Sequence, residues 1–159
     1  MRSWDKCDED NRTFNYKNLC DYEFEKLCCD IMPKKLGVQL HTFAKGKDGG
    51  IDATDDVSTH NMIKQAKHYI NSSYSALYNT LKSEVNKVDD LKPNQYYVCC
   101  AQELTPGNIN DIYNLFSDYM KDSNNVIDLN NIDDFLKDQA NNEILKKHYK
   151  LWLDSTQIL

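Results

Sequence analysis

The chain has 159 residues, 40% of them apolar and 11% aromatic, and a formal charge of -6. That length and apolar content suit one domain with one core, and no run approaches the ~20 apolar residues of a membrane span, nor do the first ten residues carry the apolar stretch of a secretory signal. The acidic balance excludes a protein that grips nucleic acid by a generally basic surface, but residues 34–69 hold six Lys against four Asp while residues 103–143 hold two Lys against nine acids, so a polyanion is expected to meet the first half.

Residues 1–15 are polar and without periodicity and are read as a flexible lead-in to a folded domain over 16–159. From Asp21, taken as an N-cap, Phe24, Leu27, Cys28 and Ile31 recur at helical spacing and predict a helix ending near Pro33. Gly37 then opens a strand region, with short strands expected over 38–43, 50–55 and 61–69 in an antiparallel meander. Tyr74, Leu77, Tyr78, Leu81, Val85 and Val88 trace the face of one helix. The apolar run Tyr96 to Ala101 reads as a buried parallel strand reached by a crossover. Thr105-Pro106 starts a helix carrying Ile109, Ile112, Tyr113, Phe116 and Met120, and a short strand at 126–129 precedes helices near 131–139 and 141–153. The order is mixed α/β, a central mixed sheet flanked by helices. The six cysteines include the adjacent pairs Cys28-Cys29 and Cys99-Cys100 in apolar stretches and no CxxC, which fits thiols in a reducing cytoplasm rather than bridges or zinc.

The stretch richest in chemistry is Gly46-Lys-Asp-Gly-Gly-Ile-Asp52, followed thirteen positions later by Gln65-Ala-Lys67. Side chains two apart on a strand share a face, so Gln65 and Lys67 project together while Lys64, Ala66 and His68 point the other way. Pairing of the strands 50–55 and 61–69 would let Asp52 join them. A carboxylate and an amide oxygen are hard ligands suited to Mg²⁺, and an ammonium beside them can orient water or stabilise charge on phosphorus. Asp48 is either a further ligand or an Asx-turn former between Lys47 and Gly49. Lys34, Lys35, Lys45, Lys47 and Lys64 either line a phosphate path or form a solvated face, and His68 either packs or touches phosphate. Tyr74, Tyr78, Tyr96 and Tyr97 fall on core-facing patterns.

These residues resemble the PD-(D/E)XK nuclease superfamily, and within it the Mrr-like restriction endonuclease branch, which carries a Gly-Gly-Ile/Val-Asp segment and a Gln-X-Lys in place of Glu-X-Lys. Lys67-His-Tyr69 is similar to the branch's Lys-Arg/His-Tyr, and the tail His148 to Thr156 is similar to the end of nuclease modules that precede an NTPase or sensor region in antiviral proteins. The resemblance spans roughly residues 16–155 and implies a restriction-endonuclease-like αβββαβ core. It also implies a Mg²⁺-dependent endonuclease, with Mn²⁺ able to substitute, that cuts double-stranded DNA in prokaryotic antiviral or restriction defence. Asp52 and Gln65 would hold the metal, Lys67 would serve the water or the phosphate, and an acid from the Glu23-Phe-Glu25 helix would complete the site, Glu25 ahead of Glu23 because Glu23 sits where the helix dipole favours any acid. A single such site cuts one strand, so double-strand breaks call for a dimer or a larger multidomain assembly. Two other readings are kept: a catalytically silent nucleic-acid-binding or interaction module of the same fold, and an RNase with the same site.

Overall fold

The computed structural model describes residues 14–37, 41–42, 53–54 and 62–152. The Gly46 to Asp52 stretch, most of the lead-in and the end of the tail lie outside the described residues.

The first helix, α1, spans Asp21–Leu36. Its N-cap is Cys20 rather than Asp21: the Cys20 N–H donates to the Glu23 carboxylate at 2.9 Å, so the acid three residues in satisfies an end donor that the cap side chain leaves open. Nor does the helix stop at Pro33. A proline withdraws one N–H and crowds the carbonyl four residues back, yet α1 continues a further turn. It ends at Gly37, whose φ of 71° is the left-handed conformation a glycine tolerates and whose N–H reaches the Pro33 carbonyl at 2.7 Å.

Five strands follow: β1 (His41–Thr42), β2 (Ala53–Thr54), β3 (Met62–Lys67), β4 (Gln95–Cys100) and β5 (Val126–Ile127). They lie side by side in chain order, with β1–β2 and β2–β3 antiparallel and β3–β4 and β4–β5 parallel. The expected meander and buried parallel strand are therefore present. Helices α2 (Tyr74–Ser83) and α3 (Val85–Leu91) form the crossover from β3 to β4, and α4 (Pro106–Leu115) the one from β4 to β5. The single helix expected over Tyr74 to Val88 is thus two, because the chain tightens at Glu84, whose N–H bonds the Leu81 carbonyl three residues back at 3.0 Å. Helices α5 (Leu129–Lys137) and α6 (Asn142–Lys147) close the order. The last strand is shorter than expected since Asp128 leaves it to cap α5, accepting from the Asn131 N–H at 3.1 Å.

Alternation along β4 divides the interior in two. Cys99 and Ala101 meet Phe24, Leu27, Cys28, Ile31 and Met32 of α1 together with Ile132 and Leu136 of α5. Tyr96, Val98 and Cys100 face Leu77, Leu81, Ile112 and Phe116 on the other side, where the Tyr96 and Phe116 rings lie 4.7 Å apart. The sheet is the middle of three layers. The tyrosine expectation holds in that Tyr96 is fully buried and Tyr97 packs on the α1 side, and the five described cysteines are thiols rather than disulfides. Of these, only Cys20 is exposed.

Asp30 on α1 ties this layer to the end of α6, meeting His148 Nε2 at 2.7 Å and Lys147 Nζ at 3.1 Å. Burial raises the Asp30 carboxyl pKa, but the His148 and Lys147 contacts outweigh it and hold it below the ordinary value. A depressed carboxylate stabilises the fold fully above its unfolded pKa and loses that contribution as pH falls through its folded one. Asp30→Asn should therefore lower the melting temperature by about 2–4 °C at neutral pH. The gap to wild type should begin to narrow in thermal melts as pH falls below the ordinary value of 3.8 and close once the depressed folded value is passed; an equal gap at every pH would show that the ion pair is not its source.

Candidate functional site

Strand β3 is interior to the sheet, between β2 and β4, so its charged residues cannot be explained as guards on an open edge. Its two faces have different surroundings. Lys64 and Ala66 face α1: Ala66 joins the core there, and the Lys64 ammonium lies 3.2 Å from Cys29 Sγ with the residue 1% exposed. This corrects the phosphate-path reading of Lys64, because a side chain sunk beneath α1 presents no charge to a polyanion. His68, just past the strand, is also committed to packing. Its Nδ1 is 3.2 Å from Asp21 Oδ1, its Nε2 is 2.9 Å from the Tyr16 carbonyl oxygen, and its ring lies 5.3 Å from that of Phe24.

Gln65 and Lys67 take the opposite face, as alternation requires. In the parallel register they stand beside Val98 and Cys100, which belong to the α2–α4 side of the interior. Gln65 is buried at 5% exposure. Lys67 is partly buried, and its Nζ donates to Glu84 Oε1 at 2.7 Å. Glu84 stands at the joint between α2 and α3; it is itself buried, and its second oxygen, Oε2, has no hydrogen-bond partner among the described residues. On the neighbouring strand, Ala53 pairs with Lys64. Asp52 precedes Ala53 in the sequence and, like Asp48, Lys45 and Lys47, lies outside the described residues.

The two acids of α1 have separate settings. Glu23 caps Cys20 and meets Lys150 Nζ at 2.7 Å, and the Lys150 contact is the main cause of its depressed pKa. It borders a hollow of about 320 Å³ with Tyr22, Lys26 and His148, on the α1 side of the molecule. Glu25 is partly buried on the same helix, which packs on the Lys64–Ala66 face, so α1 and the Gln65–Lys67 pair occupy opposite sides of β3. Lys34 donates to the Ala140 carbonyl at 2.6 Å and braces α1, while Lys35 is exposed.

Glu84 was not singled out from the sequence, although a signal was there. Leu77, Leu81 and Val88 are buried on one stripe, and Glu84 occupies the position between Leu81 and Val88 that the same spacing assigns to the core. A carboxylate at a core position is an outlier that asks for a partner.

Chemically, the described residues offer an amide oxygen, a fixed ammonium and a carboxylate with one unused oxygen on one side of the sheet. Among the described residues no group of three or more His, Cys, Asp or Glu side chains could hold a metal ion. A divalent cation here would draw on the Gln65 amide and on residues outside the described set. Among the described residues no helix is long and apolar enough to cross a membrane.

The chain is 27% identical over 146 residues to the uncharacterized protein y4cD of Sinorhizobium fredii (strain NBRC 101917 / NGR234), an alignment covering 92% of this chain and 22% of that protein. The chain thus spans about a fifth of its relative's length. No family model and no solved structure matches it.

Proposed function

We propose that this domain is a Mg²⁺-dependent endonuclease that hydrolyses phosphodiester bonds in double-stranded DNA, with Asp52, Gln65 and Lys67 as its site on a restriction-endonuclease-like αβββαβ core. The observation that carries the reading is that Gln65 and Lys67 share one face of an interior strand, both polar side chains against the sheet's interior, with the lysine held by a buried acid. The reading requires the β2–β3 ladder to extend one step beyond the Ala53–Lys64 pair, setting Asp52 opposite Gln65.

In this reading the Asp52 carboxylate and Gln65 amide supply hard oxygens to the cation, and Lys67 places positive charge beside the scissile phosphate. When bound, Mg²⁺ lowers the pKa of water and neutralises charge building on phosphorus, and Mn²⁺, which accepts the same oxygen ligands, can replace it. The three assigned residues do not depend on Glu25 or Asp48. The resemblance to the Mrr-like branch supports a role in prokaryotic defence within a larger protein. Two copies, as a dimer or clustered assembly, would cut both strands.

The test is nicking of supercoiled plasmid by the purified chain in Mg²⁺, in Mn²⁺ and in EDTA, beside a structured RNA. Metal-dependent nicking of the plasmid is expected. Gln65→Glu should keep activity, whereas Gln65→Leu, which deletes the oxygen at similar bulk, should lose more at limiting than at saturating Mg²⁺. A harmless Leu at every metal concentration would move the ligand elsewhere, RNA cleavage alone would change the substrate class, and a wild-type chain inert on both would leave a binding module.

A further inference from the structure

We propose that Glu84 is the positioning residue for Lys67, an inference that rests on the nuclease reading above and adds a residue to it. The chain carries an acid where its own helical stripe calls for an apolar side chain. Replacing a buried ion pair with well-packed apolar groups is often neutral or stabilising, so the pair is poorly explained as a source of stability alone. The backbone also accommodates it. The crossover helix breaks at Glu84, and the break delivers one carboxylate oxygen to the Lys67 ammonium at 2.7 Å while the other oxygen is buried with no partner among the described residues.

A free lysine has four rotatable side-chain bonds and a mobile charge. Bound to Glu84 Oε1, the Lys67 ammonium keeps two N–H donors in fixed directions for a phosphate oxygen or a water. Fixing a charge before the substrate arrives lowers the reorganisation left for the transition state. Glu84 itself touches neither substrate nor metal in this scheme. Its role is to hold the lysine.

The experiment compares Glu84→Gln, Glu84→Asp and Glu84→Leu with wild type and Lys67→Ala in the full chain. It follows plasmid-nicking kcat and KM, DNA binding in EDTA, Mg²⁺ dependence and thermal melting. Glu84→Gln keeps the shape and an acceptor but not the charge, and should lower kcat by about 10-fold or more, in the range seen when partners of site residues are removed, with KM and DNA binding unchanged. Glu84→Asp should recover part of the loss. Glu84→Leu should be the least active and, because it strands the Lys67 ammonium, should melt below wild type, whereas Glu84→Gln, still an acceptor for that ammonium, should melt close to wild type while losing kcat, which separates positioning from folding. A raised Mg²⁺ requirement in Glu84→Gln would overturn the inference by making Glu84 a metal ligand. Wild-type kcat in both Glu84→Gln and Glu84→Leu, with Lys67→Ala inactive, would overturn it while leaving the nuclease reading in place. Full activity of Lys67→Ala would remove that reading and the inference together.

Discussion

Lys67→Ala is expected to reduce plasmid cleavage by about 10²-fold or more, the usual effect of deleting a group that stabilises charge in a transition state. Its structural setting adds a second effect. Lys67 is the hydrogen-bond partner of the buried Glu84, so the truncation leaves a carboxylate with neither oxygen met among the described residues, at a penalty of about 1–3 kcal/mol or more. Activity and stability should therefore fall together in the single variant. The double variant Lys67→Ala/Glu84→Leu removes the stranded acid as well, and should regain the melting temperature without regaining cleavage. Kinetics and melting on the same preparations check both parts: cleavage restored with the fold would show that Lys67 only supported it, and a double variant as unstable as the single would place the structural effect elsewhere.

Phe24→Ala should have the largest effect on the fold. Phe24 has no exposed surface, lies among the α1 residues that meet the sheet, and stacks at a tilt on the His68 ring. Truncating a buried phenylalanine costs about 3–5 kcal/mol through lost transfer free energy and the cavity left behind. Against the ~5–15 kcal/mol that stabilises a typical domain, such a loss can consume most of the margin. Denaturant unfolding should show a much lower midpoint at nearly the same slope, and a shift below about 1 kcal/mol would mean that α1 is held mainly by its ion pairs.

The elements that the sequence made legible are those whose pattern is set by burial. The stripe Phe24, Leu27, Cys28 and Ile31, the run Tyr96 to Ala101 and the Thr105-Pro106 start each produced the expected element, because periodicity and capping report directly on which face is removed from water. The errors fell where a single side-chain bond decided the outcome. Cys20 caps α1 because Glu23 reaches back, β5 stops at Ile127 because Asp128 turns to cap, and the crossover helix divides where Glu84 turns to Lys67. At the site, strand alternation correctly put Gln65 and Lys67 on one face and Lys64 on the other. What alternation does not encode is how deep each face lies, and that is why Lys64 read as a phosphate contact and Glu84 was passed over. Both are charged residues at buried positions, a pairing that depends on contacts far apart in sequence.

The two ends of the described chain are fastened to each other. The Asn15 N–H donates to the Leu151 carbonyl at 2.7 Å, Asn18 Nδ2 to the Lys150 carbonyl at 2.9 Å, and the Tyr16 hydroxyl to Asp133 at 2.9 Å. A polypeptide attached on both sides would therefore pull on neighbouring points rather than across the molecule. Tension would load this clasp first, and α1, the next element along the chain, would be the first large helix to feel it.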